Sequence, residues 1–459
     1  MNSRIEKDSL GEIEVPADKY WGAVTQRSME HFTIADEKMP GELISAIAMV
    51  KKAACLANEE CGVLSGEKAK IIAEVCDEII KGALESNFPL CLWQTGSGTQ
   101  TNMNVNEVIC NRGNEIAGRK LLSPNDDVNM SQSTNDVFPT AIHVAGVILL
   151  EDGVIAAAER LAKIFADMAE EYGKTVKLAR THLMDATPMT FGQELAGYSH
   201  ILKTDIKIIE DSLVHLKKIP LGGTAVGTGL NAPAGYADLS AGYLSVITGR
   251  NFTVSENLFA AMSARSQAAA AHSALRTLAG DMLKIADDIR RYSSGPKAGY
   301  GELTIPAGEP GSSIMPGKIN PTQCEALIMA ATMVMGNDTA MGIAASRGDF
   351  QLNVNMPLIA HLLIRSAKLL TDSITSFTER CVIGMRANEA KMEKNAGQAL
   401  TLATALNPLI GYSKAAQIAM RAAKEDITLR EAAISSGYVS AEQFDELCDP
   451  KKMINNTER

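Results

Sequence analysis

Apolar residues recur every three or four positions through the middle of the chain, in stretches too long for strands. The pattern predicts a helix from about Pro139 to Tyr172 and a second from about Gly192 to Lys218, stopped by Pro220. A third is expected to begin after Ser255, read as an N-cap, and to end in the basic turn Arg290-Arg291 before Gly295-Pro296. A fourth starts near Asn320 and a fifth after Pro357. The third would hold roughly 35 residues and span about 50 Å. Helices of that length need partners along their whole extent, and their apolar residues spread too widely for a strict heptad seam. A multi-helix bundle is expected, packed within the chain or across subunits, and a homo-oligomer with it.

The ends read differently. Residues 1 to about 135 mix short helices with turns, and residues from about 390 form a small helical unit. There, Thr428 with Glu431 and Ser440 with Gln443 read as capping boxes.

Composition sharpens the picture. Apolar residues make up 46% of the 459 residues and aromatics only 5%, which suits large helical cores rather than a β-sandwich. The formal charge is −10, from 44 basic and 54 acidic residues with no basic cluster, so neither nucleic acid nor an anionic membrane is an expected partner. An anionic substrate would have to be captured by a local set of donors. The eight cysteines form no CxxC pair or disulfide rhythm, and the seven histidines show no metal-ligand spacing. Free thiols, no metal and a cytoplasmic location are expected. Nothing at the N-terminus reads as a targeting signal, and no run of eighteen apolar residues predicts a membrane span.

Two glycine-containing stretches imitate nucleotide motifs. GGTAVGTG at Gly222–Gly229 follows a predicted helix rather than a strand, so it reads as a turn. Gly317-Lys318 lacks the Ser or Thr of a P-loop, because Ile319 follows, and its spacing from Gly311 is one residue too long.

Four polar segments interrupt the helical chain. Gln94–Glu107 supplies Ser97, Thr99, Thr101 and Asn102 at the entry to a helix. Pro124–Pro139 crowds Ser131, Ser133, Thr134, Asn135 and Asp136 before a long helix, more than a cap requires. Ala179–Glu194 places His182 beside Arg180 and Thr181 in a non-helical link, a candidate acid or base. The loop GSSIMPGKINPTQCEA from Gly311 adds Ser312, Ser313 and Lys318 ahead of Asn320-Pro321. Glu325 reads either as the partner of Thr322 in a capping box or as a carboxylate that orients a histidine. Together these segments suit a small dianion held at helix N-termini and a proton transfer beside its carboxylate.

At these segments the sequence resembles the fumarase/aspartase superfamily, and within it the class II fumarate hydratases. TGSGTQTNMNVNE, SQSTNDVFPT, RTHLMDATP, GGTAVGTGLN and the Gly311 loop stand in that family's order, with VPADKYWGAVTQRSMEHF before them and ALNPLIGY after. The resemblance covers essentially the whole chain. It implies a mainly α fold of three helical domains: 1–135, a central long-helix bundle 136–388 with the signature loop 308–323, and a small C-terminal domain 389–459. It further implies a homotetramer with active sites shared between subunits, no cofactor, and reversible anti addition of water to fumarate giving L-malate through an aci-carboxylate. Carried over residue by residue, it makes Ser312 the base, where the residues alone would nominate His182. His182 becomes the acid or water-positioning group, oriented by Glu325. Lys318 and Asn320 would hold one carboxylate, and Ser97, Thr99, Asn102, Ser133, Thr134, Asn135 and Thr181 would complete the pocket. The family's accessory anion site often has His before the Pro-Asn-Asp triplet. Here Ser123 precedes Pro124, Asn125 and Asp126, which puts an accessory site at Asn125 and Asp126 in question.

Two alternatives compete. Aspartate ammonia-lyase shares the fold and the signature loop, but carries Gln in place of His182 and Ala in place of Gly317. A crystallin-like structural protein with a retired lyase fold would not need Ser312, Lys318, His182 and Asn320 together.

Overall fold

The computed structural model describes residues 2–454, which form seventeen α-helices and five two-stranded sheets. The chain folds into two interleaved compact units. One comprises the chain up to Ala156 with Asp205–Ala279 and Ala331–Thr371; the other comprises Ala157–Thr204, Gly280–Ala330 and the chain from Asp372.

The first unit is built on the helix Gly41–Glu60. Leu43, Ile47, Val50 and Ala54 recur on its buried face. It packs on the helices Gly66–Ile80, Thr134–Leu149 and Tyr236–Thr248. Each fully buried Leu or Ile in such a core contributes roughly 1.5–3 kcal/mol. Two polar residues, Lys51 and Asn58, sit fully buried on the same face.

The second unit centres on the hairpin Val176–Thr181 and Met184–Thr190. Val176 and Leu178 on its inner face join a core with Ala396, Leu402, Leu406, Ile418, Leu429 and Phe444 from the C-terminal helices. Both expected capping boxes, Thr428 with Glu431 and Ser440 with Gln443, are present.

The long helices fall near their expected places, with instructive differences. The helix expected from Pro139 begins at Thr134, so Pro139 lies inside it rather than at its start. A π-turn at Leu150–Ile155 then leads into Ala156–Glu171. The helix expected after Ser255 is interrupted. Ser255 follows the short strand Thr253–Val254, and Asn257 caps the brief helix Leu258–Ser263. The chain breaks at Ala264, and the long helix runs from Ser266 to Tyr292 over 27 residues. Arg265 makes the break tolerable: its buried guanidinium donates to the carbonyls of Ala261, Met262 and Ala264 that the short helix leaves open. Gly222–Gly229 forms turns, as expected.

Two helical stretches, Thr134–Glu171 and Thr322–Ala345, are long and apolar enough to cross a membrane by composition alone. Most of the first is buried in protein core, whereas most of the second is uncovered.

Candidate active site

The first unit joins two of the four polar segments. Gly98, in the left-handed region at φ 76°, turns the chain into the helix Thr99–Ala117, which has no side-chain cap. A side chain there would strike the Phe138 ring, with a Cβ at 2.2 Å. Ser97 and Thr99 share a hydroxyl–hydroxyl bond of 2.8 Å at the start of this helix. One turn on, the buried Asn102 donates to the Thr134 hydroxyl at 3.0 Å. The N-termini of the helices Thr99–Ala117 and Thr134–Leu149 are thereby tied together, and their amide groups and hydroxyls form one donor-rich patch.

Much of the second polar segment is structural. Ser133 and Asp136 form a capping box. Asp136 also accepts the Gly222 and Thr224 N–H groups at 3.0 and 2.9 Å, and Asn135 donates to the Ala225 carbonyl at 2.9 Å. Asp136 is therefore the clamp that fastens the glycine-rich turn beneath the patch. Ser131 bonds Asn58 and lies outside the donor set.

Beneath Asn102 lies a polar cluster that sequence reasoning missed. Asn129 Oδ1 accepts from Lys51 at 2.8 Å and from Asn102 and Asn106 at 3.2 Å each. Burial pulls the Lys51 ammonium down to about 7, and the Asp136 charge opposes that fall. Burial likewise pushes Asp136 up to about 6, against the backbone N–H groups of Ser133, Thr224 and Gly222 and the charge of Lys51. The available signal was a lysine on the apolar stripe of Gly41–Glu60.

The second unit carries the other two segments. His182 and Leu183 form the two-residue turn of the hairpin, both with positive φ, at 57° and 64°. Such turns demand left-handed residues, and histidine tolerates that conformation better than most. The link is thus non-helical, as expected, and it is a β-hairpin that presents Thr181 and His182 to solvent.

The signature loop closes on itself. Gly311 N–H donates to the Lys318 carbonyl at 3.1 Å, and Asn320 Nδ2 donates to the Gly311 carbonyl at 2.7 Å. A Cβ on Gly311 would stand 2.3 Å from the Lys318 oxygen, so this closure requires glycine. Within the loop, Ser312 Oγ accepts the N–H groups of Ile314 and Met315 at 3.2 and 3.0 Å. Lys318 is exposed.

Glu325 is exposed, and no hydrogen bond joins it to His182 within the chain. The capping box with Thr322 does not form, because Thr322 is already the first residue of its helix and Glu325 N–H bonds the Pro321 carbonyl. At the other candidate site, Ser123 caps the turn Pro124–Val128 and its hydroxyl bonds the Asp126 carboxylate at 2.9 Å, while Asn125 is exposed. Among the described residues, no group of three or more His, Cys, Asp or Glu side chains converges as a metal site would.

The family model described as "Lyase" matches residues 11–336, and the one described as "Fumarase C C-terminus" matches residues 402–455. The class II fumarate hydratase of Bacillus cereus is 51% identical over 458 residues, covering 99% of either chain. The chain belongs to the class II fumarate hydratase family. The fumarate hydratase of Thermosynechococcus vestitus is 51% identical over 449 residues, covering 97% of this chain and 96% of that one. Among solved structures, the class II fumarase of Schistosoma mansoni superposes with a TM-score of 0.96 at 38% identity, covering 98% of this chain and 99% of that one. A fumarate lyase:delta crystallin from Brucella melitensis gives 0.87 at 40% identity, covering 94% and 100%. This fumarate hydratase fold is mainly helical, and the chain is a lyase of the hydro-lyase type.

Proposed function

We infer that the chain hydrates fumarate reversibly to L-malate, with Ser312 as the base. The observation that carries this reading is the pair of N–H groups on Ser312 Oγ. An ordinary serine is a poor base, and two donors aimed at its oxygen favour the alkoxide over the alcohol. From malate toward fumarate, Ser312 takes the proton from the carbon beside one carboxylate. The electron pair moves into that carboxylate as the aci form and then forms the double bond as hydroxide departs. His182 supplies the proton that lets the hydroxide leave as water. Lys318 and Asn320 hold a carboxylate. Ser97, Thr99, Asn102, Ser133, Thr134, Asn135 and Thr181 line the dianion pocket, within which Asn102 and Thr134 already meet. Glu325 orients His182 once chains assemble. No role is assigned to Asn125 and Asp126, where Ser123 stands in place of the family's histidine and its hydroxyl bonds Asp126.

Assembly as a homotetramer with active sites shared between subunits belongs to the same proposal, as does the division into domains 1–135, 136–388 and 389–459. Its support is the helix Thr322–Ala345. Met329, Met333 and Ile343 are exposed at 68%, 57% and 60% along its length, with Gly336 and Gly342 between the last two. A helix that is apolar all round and largely uncovered requires partner helices. The cytoplasmic placement rests on eight free cysteines; the buried Cys324 and Cys381 keep their sulfurs 3.9 Å apart.

The test is turnover of malate, followed by rising ultraviolet absorbance of fumarate, with aspartate in parallel. Turnover of aspartate but not malate overturns the assignment in favour of an ammonia-lyase. A folded oligomer inert on malate, aspartate and argininosuccinate overturns it in favour of a structural protein.

A further inference from the structure

Arg180 stands two residues before His182, inside the segment expected to touch a dianion, yet its guanidinium faces away from that task. Nη1 and Nη2 donate to the two Glu302 oxygens at 2.9 and 2.6 Å. The pair is nearly sealed from water, with side-chain exposures of 9% and 0%. The guanidinium also lies over the Tyr300 ring, 4.6 Å from its centre. A fork whose end-on face and charge are already committed to a buried carboxylate is a poor ligand for a substrate carboxylate.

Glu302 itself is a junction. Its Oε1 accepts from Asn395 at 2.7 Å, its N–H donates to the Tyr292 carbonyl at 2.9 Å, and its carbonyl accepts the Asn388 N–H at 2.8 Å. The next residues, Leu303–Thr304, pair with Arg386–Ala387 and run directly into the signature loop. The hairpin is tied to this junction through Arg180, near its base. From Thr181 to Asp185 every residue is exposed, so the tip has no core of its own to hold it. The ladder is irregular between Leu178 and Arg180, just where the buried part of the hairpin gives way to that tip.

We propose that the Arg180–Glu302 pair is a positioning device that anchors the His182 hairpin and the root of the Ser312 loop to one buried junction. This rests on reading His182 and Ser312 as the reacting groups. Arg180 orients the hairpin and Glu302 orients the root of the loop, so breaking the pair frees both at once. Neither residue touches the reacting atoms. A displacement of about 1 Å in such groups costs about a hundredfold in rate without weakening ground-state binding.

The experiment uses the full-length chain carrying Arg180→Ala, Arg180→Lys or Glu302→Gln, with Lys391→Ala as a control from the same 280 Å³ cavity. Steady-state kinetics on malate are read beside amide hydrogen exchange over residues 176–190 and 308–323. The expected result for Arg180→Ala and Glu302→Gln is a kcat about a hundredfold lower, a KM nearly unchanged, and faster exchange in both segments. Arg180→Lys restores little, because an ammonium cannot bridge both oxygens. Guanidinium chloride at sub-denaturing concentration, but not sodium chloride, restores kcat to Arg180→Ala by refilling the vacated space. Lys391→Ala behaves as the parent.

A raised KM with unchanged kcat would make Arg180 a substrate ligand and overturn the proposal. So would a lost kcat with unchanged exchange in either segment. If Arg180→Ala does not fold, Glu302→Gln, which keeps the side-chain volume, decides by the same kinetic and exchange criteria. Failure of the underlying functional reading shows separately, as absence of malate turnover in the parent, and the exchange measurement still decides the coupling.

Discussion

Replacing Ser312 by Ala removes one oxygen atom from an exposed, self-closed loop, and its effects on rate and on stability should separate widely. The oxygen accepts two backbone N–H groups at 3.2 and 3.0 Å, both in exposed residues. Water can replace it there, so the cost to stability stays within about 0.5 kcal/mol, as for ordinary surface changes. For a chain of this size that is a shift in melting temperature below about 2 °C. The loop's closure does not depend on the hydroxyl, because Gly311–Lys318 and Asn320–Gly311 remain bonded. The rate should behave otherwise. A positioned general base contributes about 10²–10⁴-fold, equivalent to about 3–5 kcal/mol of barrier. The assay is fumarate absorbance on adding malate, with circular-dichroism melting and size-exclusion chromatography on the same preparation. The expected outcome is an oligomer that melts like the parent and turns over at least about a hundredfold more slowly. Near-normal turnover in Ser312→Ala together with loss in His182→Ala would refute the assignment and return the base to the histidine.

Three further outcomes are expected. Asp136→Asn cannot satisfy Ser133, Gly222 and Thr224 with one remaining acceptor oxygen, so it should lose about 2–4 kcal/mol of stability, read by urea unfolding. Gly96→Ala would set a Cβ 1.5 Å from the Val354 carbonyl and strain the Met356–Gly96 backbone bond, costing at least about 1–3 kcal/mol, measurable as a lower melting temperature. His143 is held down at about 4 by burial and by the Arg265 charge. Its folded value lies below the unfolded one of about 6.5. Its contribution is therefore complete above about pH 6.5 and is lost as pH falls toward 4, by up to about 3 kcal/mol. The stability difference between the parent and His143→Gln should shrink over that interval in urea titrations; a constant difference would show that His143 does not titrate differently on folding. Comparing the two proteins cancels the opposite contribution of Asp136, whose raised value favours the fold at low pH and is lost as pH rises through about 6.

The helical class, the small C-terminal unit with its two capping boxes, and the four polar segments were legible because each is a local pattern. A helix follows from apolar spacing over a few turns, and a cap from residues three apart. The errors arose where a competing signal a few residues away overrode the local pattern. Ser255 is a plausible cap by itself, but the helix breaks at Ala264 because Arg265 satisfies the open carbonyls. Pro139 suits a first turn, but the capping box at Ser133 starts the helix earlier. Thr322 and Glu325 have capping-box spacing, yet Pro321 occupies the capping place.

Sequence alone determined the chemistry on offer: neutral donors at helix starts, one histidine, one loop lysine, and the family to which their order belongs. Which of those groups are free to act was decided only by the tertiary structure. Asp136 and Arg180 sit among the candidates in sequence, yet both are spent on buried contacts with residues 86 and 122 positions away. Lys51 lies far from every polar segment, yet folding sets it under the donor patch through Asn129. The physical reason is that a buried polar group must find its partner wherever the chain brings one. Local spacing sets which side chains are present, and burial then assigns them to structure or leaves them to substrate.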